Sequence, residues 1–93
     1  MLHVVVAYDV VDDNRRARLA KFLSGYLDRV QKSVFEGVLE ERRFLEMKAG
    51  IAERVDQTLD AVRIFELCRR CVETVEVIGL GIYVGEPDED VIF

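Results

Sequence analysis

From Leu2 to Ala7 every position but His3 is apolar, and the run ends in Tyr8-Asp9. Six residues apolar on both alternating sides predict a central β-strand. Asp12-Asp13-Asn14 follows with the short acceptors that favour a helix start, and acidic groups in a first turn suit the helix dipole. Leu19, Phe22, Leu23 and Tyr26 then recur at helical spacing, which predicts an amphipathic helix over 13–27. The segment Arg29 to Leu39 is rich in β-formers and predicts a short strand and a longer one, with Gly37 marking a bulge or a close approach. Phe44, Met47, Ile51 and Val55 share one helical face, so a second helix is expected at about 41–55. Two further strands are predicted at Val62 to Leu67 and Val72 to Ile78, and Val91-Ile92-Phe93 reads as a last short one.

The order is βαββαβ with extra strand material at the C-terminus. That pattern predicts an α+β, ferredoxin-like fold, with two helices on one face of an antiparallel sheet. A single domain, 1–93, is expected, because no repeat or linker divides the chain.

The helix-free face of such a sheet should be polar. Here the first strand carries Leu2, Val4 and Val6 on one side and Val5 and Ala7 on the other. Val34 and Val38 likewise lie opposite Phe35 and Leu39. Something must cover the second face, and a second copy of the chain is the economical cover. A homodimer packed through its sheet faces is therefore expected. The competing reading is a twisted sheet covered by its own C-terminal segment.

The formal charge of −5 speaks against an evenly spread nucleic-acid surface. The charge is uneven, however. Residues 1–48 hold nine Lys/Arg against eight Asp/Glu, whereas residues 49–93 hold four against ten. Only a local patch in the first half could receive a polyanion. No apolar run approaches the ~18 residues of a membrane span. Met1-Leu2-His3 lacks the basic lead of a signal peptide, and two cysteines make no disulfide framework, so a cytoplasmic protein is expected.

Asp9 is the leading candidate for chemistry. A carboxylate ending an apolar central strand needs a partner or a cation. It shares a strand face with His3, Val5 and Ala7, so a two-fold axis on that face would bring it near its own copy. Magnesium relieves the repulsion of such a pair, activates water and stabilises phosphodiester charge. Alternatively, Asp9 caps the next turn or pairs with Arg16. Arg15, Arg16, Arg18 and Lys21 are the densest basic cluster; Arg15 and Arg16 border the apolar helix face, while Arg18 and Lys21 point to solvent. Together they are either a phosphate-holding helix start or an ordinary solvated face balanced by Asp12 and Asp13. Cys68 and Cys71 have C-x-x-C spacing, but His3 is the sole histidine, so a four-ligand zinc site is not supported. A redox motif would open a helix after a strand, and this one lies between two expected strands. Gly79-Leu80-Gly81 precedes no helix, which removes the nucleotide-loop reading.

Three segments carry a resemblance: Tyr8-Asp9-Val10, the helix Arg15-Arg16-Ala17-Arg18-Leu19, and Arg29-Val30-Gln31-Lys32-Ser33-Val34-Phe35-Glu36-Gly37. At these spacings the chain resembles the Cas-two family of CRISPR-associated proteins over essentially its whole length. The resemblance implies a ferredoxin-like homodimer with Asp9 of both chains at the interface, as catalytic residue and magnesium ligand. It implies Arg16 and Arg18 along bound DNA or RNA, and a bridging role beside the CRISPR integrase in spacer acquisition. It also implies that Val91-Ile92-Phe93 pairs with the partner chain or the integrase. The cysteine pair is outside the family pattern, and the acidic balance departs from its basic members. Two functions of different class follow: magnesium-dependent phosphodiester hydrolysis, and a purely structural nucleic-acid-binding bridge. A small-molecule-sensing domain on the same fold is a third, with no motif behind it.

Overall fold

A computed structural model describes residues 1–68 together with Glu76 and Ile78. The elements run β1 (Leu2–Asp9), α1 (Asp13–Leu23), β2 (Asp28–Gln31), β3 (Val34–Leu39), α2 (Glu41–Arg54) and β4 (Ala61–Leu67). The four strands form one antiparallel sheet in the order β2-β3-β1-β4, the ferredoxin-like arrangement. The strand expected at Val72 to Ile78, apart from Glu76 and Ile78, and that at Val91 to Phe93 lie outside the described residues, as does Cys71.

Alternation along the strands decides where the core forms. Val4, Val6, Tyr8, Phe35 and Leu39 are buried on one side, against Leu19 and Leu23 of α1 and Phe44, Met47 and Ile51 of α2. Both helices therefore cover the same sheet face. Phe22 of α1 lies so close to Gly50 of α2 that a Cβ there would fall 2.1 Å from its ring. Only a glycine lets the two helices approach at this point.

Among the described residues no helix lies over the other face. Its positions include His3, Val5 and Ala7 of β1, Val34 and Val38 of β3, and Phe65 and Leu67 of β4, and the strand pairing sets them side by side. Phe65 is 46% exposed and Val38 52%. The apolar second face read from the strands is thus present, with Val38 and Phe65 exposed on it.

The structure departs from expectation at the end of α1 and adds two local details. Helix α1 stops at Leu23, not at 27: Ser24 donates its hydroxyl to Lys21 O at 2.7 Å, and tighter bonds from Gly25 to Phe22 and Tyr26 to Leu23 turn the chain out of the helix. Tyr26 and Leu27 still pack on the core, which is why the apolar period ran past the helix end. Gly37 makes a close approach, its Cβ direction meeting Leu27 Cδ2 at 3.0 Å, whereas the bulge sits in β2 between Arg29 and Gln31. At the start of α1 the cap is Asp12, accepting from Arg15 N at 2.8 Å.

Candidate functional site

Strand register builds the site. Gln31 pairs with Val34, leaving Lys32-Ser33 as the two-residue tip of the β2–β3 hairpin. Val34 pairs in turn with Ala7 of β1, and Tyr8 N donates to Ser33 O at 3.1 Å, so the tip is stitched beside Tyr8-Asp9. The result is an open cleft lined by Tyr8, Asp9, Val10, Arg16, Arg29, Lys32 and Ser33. Residues from β1, α1, β2 and the hairpin tip meet there, although they are spread from Tyr8 to Ser33 in the sequence.

Asp9 is exposed at the strand end. Among the described residues its carboxylate makes no hydrogen bond or ion pair. The turn cap is Asp12, and Arg16 pairs with Asp13 and donates to Val10 O at 3.0 Å. Neither protein-internal role considered for Asp9 is thus realised. Three cations stand around this acid in the cleft: Arg16, Arg29 and Lys32.

Arg29 is held in place on both sides. Its guanidinium lies 5.8 Å from the Phe35 ring centroid and donates to Lys32 O at 2.6 Å. Tyr8, stacked 6.1 Å from Phe35, also reaches Lys32 O at 3.5 Å. Burial raises the Tyr8 hydroxyl above its ordinary pKa, and the positive charge of Arg29 and Arg16 opposes that rise. Tyr8 therefore stays a neutral donor at physiological pH. The neighbouring cations Arg16, Arg29 and Lys32 form a surface suited to phosphate oxygens.

Arg15 plays a different part from the one its neighbours suggest. Its Nε and Nη2 donate to Asp60 at 2.7 and 3.0 Å, a two-pronged pair whose aspartate side chain is wholly buried. Asp60 also accepts from Val11 N at 3.0 Å and Asp56 N at 2.8 Å. The Arg15 guanidinium and these N–H groups hold its carboxyl well below the usual carboxylate range. Arg15 thus ties the start of α1 to the loop before β4 and turns its guanidinium to Asp60 instead of to a phosphate surface. Arg18 and Lys21 are exposed on α1, as expected from their spacing.

His3 lies on the helix-free face with Nε2 3.0 Å from Glu36 Oε2. Cys68 is exposed just after β4. No group of three His, Cys, Asp or Glu side chains gathers for a metal among the described residues. Of the residues lining the cleft, Asp9 supplies the one carboxylate. Magnesium is held in many sites by one or two carboxylates with water and phosphate completing its shell, and the oxygen donors of Asp9 are of the kind that ion takes.

Sequence reasoning passed over Arg29, Lys32 and Ser33 as site residues. The signal was in the quoted segment: a two-residue break between two β-rich runs marks a hairpin tip. What it lacked was the register that carries the tip to Asp9.

Among known families, the one described as CRISPR associated protein Cas2 matches residues 1–75. The chain is 34% identical over 86 residues to the CRISPR-associated endoribonuclease Cas2 3 of Chloroflexus aurantiacus, covering 92% of each. It is 42% identical over 76 residues to the CRISPR-associated endonuclease Cas2 2 of Thermus thermophilus, covering 82% of this chain and 80% of that one. Its structure matches Streptococcus pyogenes Cas2 with a TM-score of 0.73 and 30% identity, over 83% of this chain and 99% of the other. A chain of a partial Cas6-RT-Cas1–Cas2 complex matches with a TM-score of 0.72 and 26% identity, over 99% and 100%.

Proposed function

Since the chain belongs to the Cas2 family, we propose that it works in CRISPR spacer acquisition as a nucleic-acid-binding homodimer that bridges copies of the integrase. The observation that carries this reading is the cleft in which Arg16, Arg29 and Lys32 surround Asp9, together with a sheet face on which Val38 and Phe65 are exposed. A second copy buries Val5, Val38 and Phe65, and the cations line a phosphodiester backbone, with Arg18 extending the contact along α1. The relative solved in a complex named for Cas1 and Cas2 supports the bridging role.

Hydrolysis is a second reading of the same site, favoured by the unpartnered carboxylate and by relatives named endoribonuclease and endonuclease. Asp9 and its two-fold copy would hold a magnesium ion, which supplies an activated water and neutralises charge on the phosphodiester. Arg16 and Arg29 would orient the phosphate and balance its charge.

Sedimentation and oligonucleotide titration test the first reading together. The protein should sediment as a dimer at micromolar concentration and bind DNA with an affinity that falls as salt rises. Arg16→Ala with Arg18→Ala should weaken that binding and flatten its salt slope by about 2. A well-folded monomer, or unchanged affinity and slope, overturns it.

A further inference from the structure

A second groove adjoins the Asp9 cleft and shares two of its cations. It runs between α1 and the β2–β3 hairpin and is lined by Asp13, Arg16, Ala17, Ala20, Lys21, Ser24, Arg29 and Phe35. Arg16 and Arg29 belong to both, so the two depressions make one track that leaves Asp9 and follows α1 towards its C-terminal end. We infer that this α1 groove seats a single-stranded segment of nucleic acid continuing from the Asp9 cleft, with Lys21 contacting its phosphate.

Three features of the groove argue for that occupant. Its charge is complementary to a polyanion: Arg16, Lys21 and Arg29 face one acid, Asp13, which Arg16 already engages. In a chain of net charge −5, such a local cluster is the route by which a polyanion can be received. Its wall on the helix side is built from Ala17, Ala20 and Ser24 at helical spacing, small side chains that leave room for a sugar-phosphate backbone. Finally, the groove is recessed between a helix and a hairpin. A lone strand can descend into it, while a duplex presents a convex surface that would ride across the rim. Lys21 lies one to two turns beyond Arg16 on α1, in reach of a phosphate further along the same strand.

The inference rests on the nucleic-acid reading above, and the test separates their failures. Binding of labelled oligothymidylate of about eight nucleotides, a site size usual for single-strand grooves, is compared with binding of a dinucleotide and of a blunt duplex of the longer length. Lys21→Gln should weaken the longer strand several-fold at low salt and lower its salt slope by about 1, with the dinucleotide and duplex unchanged. Ala17→Leu, which fills the groove with a good helix former, should weaken the longer strand alone. Thermal unfolding of both variants establishes that the fold is intact. If Lys21→Gln leaves the longer strand unaffected, or weakens all three probes equally, the groove is a solvated helix flank. An effect confined to the duplex also overturns the inference. If the unaltered protein binds none of the probes, the proposed function itself has failed.

Discussion

Two aspartates stand side by side at one end of the sheet and have opposite surroundings. Asp9 ends β1, and its cross-strand neighbour is Ala61; Asp60 is the residue just before Ala61. The Asp60 side chain is fully buried and takes bonds from Arg15, Val11 N and Asp56 N. Asp9 is exposed, faces three cations across an open cleft, and takes no bond from any of them. A buried carboxylate must have its acceptors filled by the protein, because nothing else can reach them. The exposed one, by contrast, keeps its charge available to a cation or a second copy. The two acids also divide the neighbouring arginines: Arg15 is spent on structure, and Arg16 lines the cleft.

The largest effect should come from neutralising the exposed acid. Asp9→Asn should abolish any magnesium-dependent cleavage while the dimer and DNA binding persist, since Asn keeps the shape but not the charge that holds a hard cation. A metal-free control exposes contaminating nuclease. Full magnesium-dependent cleavage by the variant would refute the catalytic assignment.

Stability should respond in the reverse order. Asp60→Ala leaves a guanidinium and two backbone N–H groups without their acceptor, and should lower the thermal midpoint by several degrees. Asp9→Ala should stay within about 0.5 kcal/mol, as surface changes do. Urea unfolding of both variants reads the contrast, and equal losses would erase it.

The arginines should split along the same line. Arg15→Ala should lower the urea midpoint with little change in the salt slope of DNA binding, whereas Arg16→Ala should reduce that slope by about 1. A reduced slope in the Arg15 variant with its fold intact would return that residue to the phosphate surface.

The smallest effect concerns pH. The Asp60 carboxyl is depressed in the folded protein, so its contribution is full above the unfolded value of about 3.9 and is lost as pH falls through the lower folded value. Asp60→Asn should therefore flatten the acid limb of stability below about pH 4. Asp56, also depressed by bonds from Thr58, preserves part of that limb. Parallel limbs in the two proteins would show that Asp60 contributes no pH dependence.

The sequence by itself determined the βαββαβ order, the helix-covered core and the second apolar face. These are repeated local patterns: Val4, Val6 and Tyr8 alternate, and Phe44, Met47 and Ile51 recur at helical spacing. It also singled out Asp9, because a charge at the end of an apolar strand is anomalous wherever the strand lies. Only the tertiary structure decided which charges are spent. Arg15 and Asp60 lie 45 positions apart, and Asp9 and Lys32 meet through two strand pairings. No local period encodes either meeting. Adjacent arginines of identical chemistry differ in role because side chains one residue apart on a helix point about 100° apart, here towards Asp60 and towards the cleft.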